Sequence, residues 1–177
     1  MLSNKDLNGK KKLIAGFSLL ELIIYISIFV VIGTLGAMVL DFALRTKKIN
    51  TRSNEVYLNT EKALAQIIER VQVSTLVNDT TTSSTLDLKM ASSSIDPTKF
   101  SLQDGVIIIK EGSNATTTIT PSTIIVNVLS FERVVNASST INSSSTSVKI
   151  TVSASYNDNG VADTNTTYAL QTTAGPL

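Results

Sequence analysis

The chain contains no cysteine and no histidine among its 177 residues. Without cysteine, a disulfide framework and thiolate chemistry are excluded. Without histidine, the commonest general base and the commonest side-chain ligand of transition metals are missing. No glycine-rich phosphate loop and no pair of carboxylates on a recognisable scaffold is present either. The sequence therefore predicts a protein that is not an enzyme and that needs no cofactor.

An excess of charge of either sign is also lacking. The formal net charge is +1, and residues 1–16 account for +3 of it through four lysines and one aspartate. Subtracting that segment leaves −2 for the remainder, which argues against electrostatic binding of nucleic acid. Basic residues lie on both sides of the apolar run described next, so charge alone does not orient the chain in a membrane.

One long apolar run, residues 17–40, follows a short basic stretch at residues 10–12. At 1.5 Å per residue it is long enough to cross about 30 Å of hydrocarbon. Its only charged residue is Glu21, and a carboxylate inside a membrane segment costs roughly 2.5–3.5 kcal/mol on insertion scales. Something must offset that cost, so Glu21 is a functional candidate. If the chain is cut between Gly16 and Phe17, Glu21 lies one helical turn from a new α-ammonium.

This combination of lysines, Gly16, Phe17 and Glu21 ahead of a spanning helix resembles the class III leader of type IV pilins and type II secretion pseudopilins. The resemblance covers residues 10–40. It implies that a membrane prepilin peptidase cuts after Gly16, that Phe17 is N-methylated and that Glu21 acts in assembly. It also implies other pilin or pseudopilin subunits, an inner-membrane assembly platform and membrane lipid as partners. The N-terminus would be cytoplasmic and the bulk of the chain extracytoplasmic, on a filament or at the cell surface after assembly.

Two other interpretations explain part of the N-terminal segment. A plain signal anchor would share the lysines and the apolar run, but it would need neither the Gly16–Phe17 pair nor Glu21. A secretory signal peptide would have an apolar region of about 7–15 residues and a small-x-small cleavage site. The run here is longer, and Leu35, Gly36 and Ala37 make a poor site.

From residue 41 the pattern becomes amphipathic, with apolar residues three, four and seven positions apart and charged residues between them. The apolar positions are Ile49, Val56, Ala63, Leu64, Ile67, Ile68 and Val71. No glycine or proline interrupts, so the sequence predicts one helix from Phe17 to about Val77. The predicted organisation is a leader (1–16), a transmembrane and assembly helix (17–40), its amphipathic continuation (41–78) and a β-rich head (79–177).

The head begins with a polar connection at residues 79–85, and six or seven mostly antiparallel strands are predicted after it. Strands are expected at 86–90, 100–102, 106–109, 116–119, 124–131, 148–156 and 168–172, with 116–119 and 124–131 paired around Pro121. Turns are expected at Asp104–Gly105 and at residues 157–160, and a Ser/Thr/Asn-rich loop at 136–147.

One face of a single sheet is expected to pack on the helix around Leu64, Ile68 and Val71. The sheet residues on that face are Leu88, Phe100, Ile107, Ile109, Val126, Phe131, Ile150 and Val152. The fold class is α+β, in the arrangement of pilins. The layout resembles the larger minor subunits, including the J-type minor pseudopilins.

Calcium is a possible ligand of the head. Asn157, Asn159 and Asp163 with Gly160 partly resemble a calcium loop, although Ser155 would be the first ligand and no bidentate Glu follows. A hairpin turn through Asn159 and Gly160 explains the same residues without metal.

Two further features have an ordinary and a functional interpretation. Arg45, Lys47, Lys48 and Arg52 form either a solvated juxtamembrane face or a site for anionic lipid headgroups. The motifs beginning at Asn114, Asn136, Asn142 and Asn165 match glycosylation acceptors, but a chain so rich in Ser and Thr is expected to contain such matches by chance.

The leading functional hypothesis is a pilin or pseudopilin subunit, with residues 17–40 in the membrane before assembly and in the filament core afterwards. The alternative is a membrane-anchored binding or adhesion module that does not assemble, with residues 136–147 as its surface. A third possibility is a competence-type subunit that contacts DNA, and the acidic balance argues against it.

Overall fold

The computed structural model describes residues 18–138 and 143–177. These residues form one helix, α1 (Leu19–Val73), and eight strands. The strands are β1 (Leu76–Val77), β2 (Thr85–Lys89), β3 (Thr98–Gln103), β4 (Val106–Glu111), β5 (Thr117–Thr118), β6 (Ile124–Ser138), β7 (Ser143–Asp158) and β8 (Val161–Ala174). The architecture is α+β, with a long apolar N-terminal helix and antiparallel sheets, as the sequence predicts.

The chain divides into two compact units, one ending at Arg45 and one formed by Thr46–Leu177. The buried apolar residues all belong to the second unit, where they run from Val56 to Ala174. That unit therefore contains a complete core of its own.

The part of α1 inside the second unit is amphipathic, as predicted. Its buried residues are Val56, Thr60, Ala63, Leu64, Ile67 and Val71, which follow the 3.6-residue period. The helix ends at Val73, so the predicted continuation to Val77 is wrong. Ser74 Oγ donates to the carbonyl of Val71 at 2.7 Å, and Thr75 N donates to the carbonyl of Lys89 at 2.8 Å. Pairing with β2 replaces the helical hydrogen bonds from this point, and Leu76 and Val77 form β1 instead.

The first sheet contains five antiparallel strands in the order β1-β2-β3-β4-β5. The predicted hairpin between β3 and β4 is confirmed: Asp104 and Gly105 have φ of 51° and 75°, the left-handed values that a tight hairpin turn requires. The predicted pairing around Pro121 is wrong. Thr118 pairs with Ile108 of β4, so β5 closes the first sheet and makes no ladder with β6.

The second sheet contains β6, β7 and β8 in that order, all antiparallel. The β6–β7 ladder runs from Ile124 opposite Tyr156 to Ser138 opposite Ser143. The loop predicted at residues 136–147 is therefore wrong at both ends, where the two strands continue, while residues 139–142 lie outside the described part of the chain. The turn from β7 to β8 is confirmed, with φ of 56° at Asn159 and 89° at Gly160.

The predicted core residues are all buried or half-buried in one cluster with α1, but they come from two sheets and not from one face of a single sheet. Backbone hydrogen bonds join the sheets, from Val126 N to Gly105 O at 2.8 Å and from Phe131 N to Ser83 O at 3.0 Å. These bonds satisfy polar groups on the outer edge of β6, which would otherwise be unpaired.

Candidate functional site

The first unit exposes apolar side chains throughout its helical segment. The exposed large residues from the helix start to Leu44 include Leu19, Leu22, Ile26, Phe29, Ile32, Leu35, Met38 and Phe42. A continuous apolar surface of this extent is much larger than the patches that soluble monomers expose. By length and composition alone, α1 is able to cross a membrane. This surface therefore needs lipid or a protein partner.

Glu21 lies in the first turn of α1, where the positive end of the helix dipole favours a negative charge. Tyr25, four residues later and on the same side of the helix, donates its hydroxyl to Glu21 Oε1 at 2.9 Å. This contact is not among the predictions from sequence, although the spacing of four residues is a signal for it. Gly16 and Phe17, the predicted cleavage site, lie outside the described residues.

Other polar side chains in the apolar segment are satisfied by the helix itself. Ser27 Oγ donates to the carbonyl of Ile23 at 2.8 Å, and Thr34 Oγ1 donates to the carbonyl of Val31 at 2.9 Å. Such back-bonding lets a hydroxyl enter an apolar environment at little cost. A Cβ added to Gly33 or to Gly36 would contact nothing within 4 Å, so both positions leave space for a neighbouring molecule. Among the described residues of this apolar segment, Glu21 is thus the only charged group, and its charge needs a partner from outside the helix.

Arg52, in the second unit, fastens α1 to the β7–β8 hairpin. Its Nη1 lies 3.2 Å from Asp158 Oδ2 and 3.3 Å from Asp163 Oδ2, and its guanidinium lies 4.5 Å from the ring centre of Tyr156. Burial alone would lower the pKa of Arg52, but the hydrogen bond and charge of Asp158, with the charge of Asp163, raise it above its ordinary value. Arg52 is therefore held within the head, and this part of the predicted basic face is not freely solvated.

The calcium candidates lie around the same hairpin, and the polar groups of Asn157 and Asp163 are already occupied. Asn157 Oδ1 accepts from Gly160 N at 2.7 Å, and its Nδ2 donates to the carbonyl of Ser122 at 2.7 Å. Asp163 pairs with Arg52, and Asn159 occupies the turn. Among the described residues, no group of three or more acidic, histidine or cysteine side chains is close enough to hold a metal ion. These contacts support the turn interpretation of the segment.

The structure describes the side chain of one of the four predicted glycosylation acceptors. Asn114 is exposed. The side chains of Asn136, Asn142 and Asn165 lie outside what the structure describes.

Asp87 lies on β2 between Leu86 and Leu88, and this alternation of apolar and polar residues predicts that Asp87 faces solvent. In the structure its carboxylate is buried. Only 6% of its side chain is exposed. It accepts hydrogen bonds from Asn78 Nδ2 and Thr80 Oγ1, both at 2.7 Å, and pairs with Lys99 Nζ at 3.1 Å. Burial would raise the pKa of Asp87, but the hydrogen bonds from Thr80, Asn78 and Lys99 lower it below its ordinary value. Asp87 thus holds the connection before β2 against the sheet.

A pocket of about 330 Å³ lies beside the last turns of α1 and strands β4 and β5. Apolar residues Phe100, Ile109 and Ile119 line it together with Thr117. Its polar residues are Gln66, Glu69, Arg70 and Glu111. No local sequence pattern predicts this pocket, because its walls come from residues far apart in the chain.

No protein-family model, no curated protein and no solved structure matches this chain.

Proposed function

We propose that this chain is a subunit, and a minor one, of a filament like a type IV pilus or a type II secretion pseudopilus. The observation that carries the proposal is Glu21, the only charge between Leu19 and Leu40, a segment of α1 whose apolar side chains are all exposed. Lipid solvates the apolar side chains but leaves the Glu21 carboxylate in hydrocarbon without a counter-ion. A filament of identical or related subunits accommodates the apolar side chains and the carboxylate, because a neighbour supplies the apolar surface and the cation.

The cation is the α-ammonium created when prepilin peptidase cuts after Gly16. In this proposal Phe17 becomes the first residue and is N-methylated, and its ammonium pairs with Glu21 of an adjacent subunit. Removing one partner of a buried ion pair typically costs about 3–5 kcal/mol, because it leaves the other charge unpaired in an apolar environment. That penalty sets the register between neighbouring helices and favours assembled over misaligned subunits.

The second unit acts as the extracytoplasmic head of the subunit. Its helix and two sheets share one core, which supports a head that folds before assembly and keeps its structure within the filament. The inner-membrane assembly platform would transfer the apolar helix from lipid to the filament core, while the head stays in water. The minor-subunit assignment rests on the layout of the head, a long helix followed by a long series of strand pairs.

The test is Glu21→Val, expressed with the native assembly machinery. Membrane content should be unchanged or higher, because a carboxylate is removed from the bilayer, and cleavage after Gly16 should be normal. Sheared or crosslinked assemblies should be lost. Ser27→Val is the matched control, since it removes a polar group from the same apolar segment without removing a charge, and it should assemble normally.

The same measurement separates the filament subunit from a membrane-anchored binding module. An anchored module needs no ion pair between copies, so Glu21→Val would leave its crosslinking pattern and its function unchanged. That outcome would refute the proposed role of Glu21.

A further inference from the structure

Tyr25 carries the only aromatic hydroxyl in the apolar run, residues 17–40, and that hydroxyl meets the only charge in the run. Side chains on a helix lean toward its N-terminus, so Tyr25 reaches back over the turn that contains Glu21. Its hydroxyl donates to Glu21 Oε1 at 2.9 Å. Among the described residues, no other side chain donates to this carboxylate and no cation pairs with it. Tyr25 is therefore the partner that the helix itself provides for Glu21.

This contact differs from those of the other hydroxyl groups in the run. Ser27 and Thr34 donate to carbonyls of their own helix, one turn back. The hydroxyl of a tyrosine lies at the far end of a rigid ring, beyond the reach of those carbonyls, and it usually finds another polar partner in an apolar environment. The Glu21 carboxylate is such a partner, so the tyrosine hydroxyl and the carboxylate each lower the cost of placing the other in hydrocarbon.

We propose that Tyr25 accompanies Glu21 into the membrane before any ammonium is able to pair with the carboxylate, an inference that rests on the filament function proposed above. In that function the peptidase is a membrane enzyme, so α1 enters the bilayer while residues 1–16 are still attached. At this stage neither the α-ammonium of the same chain nor that of a neighbour has formed at Phe17. The hydrogen bond from Tyr25 replaces part of the hydration that the carboxylate loses. Tyr25 is thus a positioning residue for insertion.

The same hydrogen bond is compatible with the ion pair that forms later. An ionised carboxylate has two oxygens and about four acceptor sites. Tyr25 occupies one site on Oε1, and Oε2 accepts nothing from the described residues. The hydrogen bond therefore does not have to break when the ammonium of a neighbouring subunit arrives.

Tyr25→Phe provides a test in which the sign of the effect identifies the role. Phenylalanine is more apolar than tyrosine, so the substitution by itself favours insertion of a membrane helix. In the parent, however, it removes a hydrogen bond to a charged group, and the ratio of inserted to uninserted chain should fall roughly three- to tenfold. In the Glu21→Val background no carboxylate is left, and Tyr25→Phe should raise the same ratio.

The assay uses the full chain in cells that contain neither the assembly machinery nor prepilin peptidase, so no ammonium forms at Phe17. Alanine substitutions between Leu35 and Leu40 weaken insertion until about half of the chain inserts, which makes changes in both directions measurable. Inserted chains are those whose head is digested by protease added outside spheroplasts. Ser27→Ala is the matched control, because its hydroxyl donates to the carbonyl of Ile23, and it should change the ratio equally with and without Glu21.

A fall in the parent together with a rise in the Glu21→Val background supports the role of Tyr25, and any other pattern refutes it. Because no filament forms in these cells, that refutation leaves the filament function standing. The filament function is tested separately by Glu21→Val with the assembly machinery present. If assembly is unchanged there, the filament function fails, and the insertion ratios still decide the role of Tyr25.

Discussion

Asp87→Asn should destabilise the head by about 2–3 kcal/mol, although the substitution is nearly isosteric. The carboxylate accepts from Asn78 and Thr80 at 2.7 Å, and hydrogen bonds to charged groups contribute about 1.5–3 kcal/mol each. After the substitution, the side-chain amide offers one neutral oxygen as acceptor, and its NH₂ group faces either Asn78 or Thr80, each of which donates in the parent. One of the two hydrogen bonds is therefore lost and the other is weakened. Lys99 is half exposed, and its pair adds at most about 1 kcal/mol.

The effect should depend on pH in a defined direction. The pKa of Asp87 is lowered by folding from an ordinary value of 3.8, so the folded head binds this proton less well than the unfolded chain does. The contribution of Asp87 to the free energy of unfolding is therefore complete above about pH 4 and is lost as the pH falls through the lower, folded pKa. The difference between the parent and Asp87→Asn should be full at neutral pH and should shrink in acid.

The assay is urea unfolding of residues 46–177, the unit that contains the complete core, followed over a range of pH. Asp79→Asn is the matched control. Asp79 pairs with Arg133 at 2.8 Å but its side chain is 87% exposed, so its loss should cost no more than about 1 kcal/mol. If Asp87→Asn costs no more than Asp79→Asn, or if the difference from the parent grows in acid, the account of Asp87 is refuted.

Three further results are expected. Gly16→Leu should block cleavage while leaving the chain in the membrane, and intact mass should show a processed parent that begins at Phe17; a mature start elsewhere would contradict this. Gly112→Ala should lower the free energy of unfolding by about 2 kcal/mol, because φ is 53° and the new Cβ would lie 2.6 Å from the carbonyl of Ser94. Gly160→Ala, which meets no atom within 4 Å, should cost less, and equal losses would refute the steric argument. Calcium should not raise the thermal midpoint of the head, since Arg52 already binds Asp163, and a clear rise would restore the metal interpretation.

The sequence determined the features of this protein that depend on neighbouring residues. The 3.6-residue period predicted the buried face of α1, and alternation predicted β7 around residues 148–156. Asp104–Gly105 and Asn159–Gly160 predicted their hairpins because few residues tolerate the positive φ that these turns require. The apolar run with its single charge at Glu21 is also a local property, and it does not depend on how the head folds.

Only the tertiary structure decided which strands pair and which polar groups are buried. Local pattern placed residues 116–119 beside β6, whereas β6 instead forms a long ladder with β7 and leaves β5 to the first sheet. Alternation placed Asp87 in solvent, but Asn78 and Thr80 fold back over it. Arg52 reaches Asp158 across 106 positions of sequence. Contacts of this kind depend on how the whole chain satisfies its buried hydrogen bonds and charges together, and no short stretch of sequence contains that information.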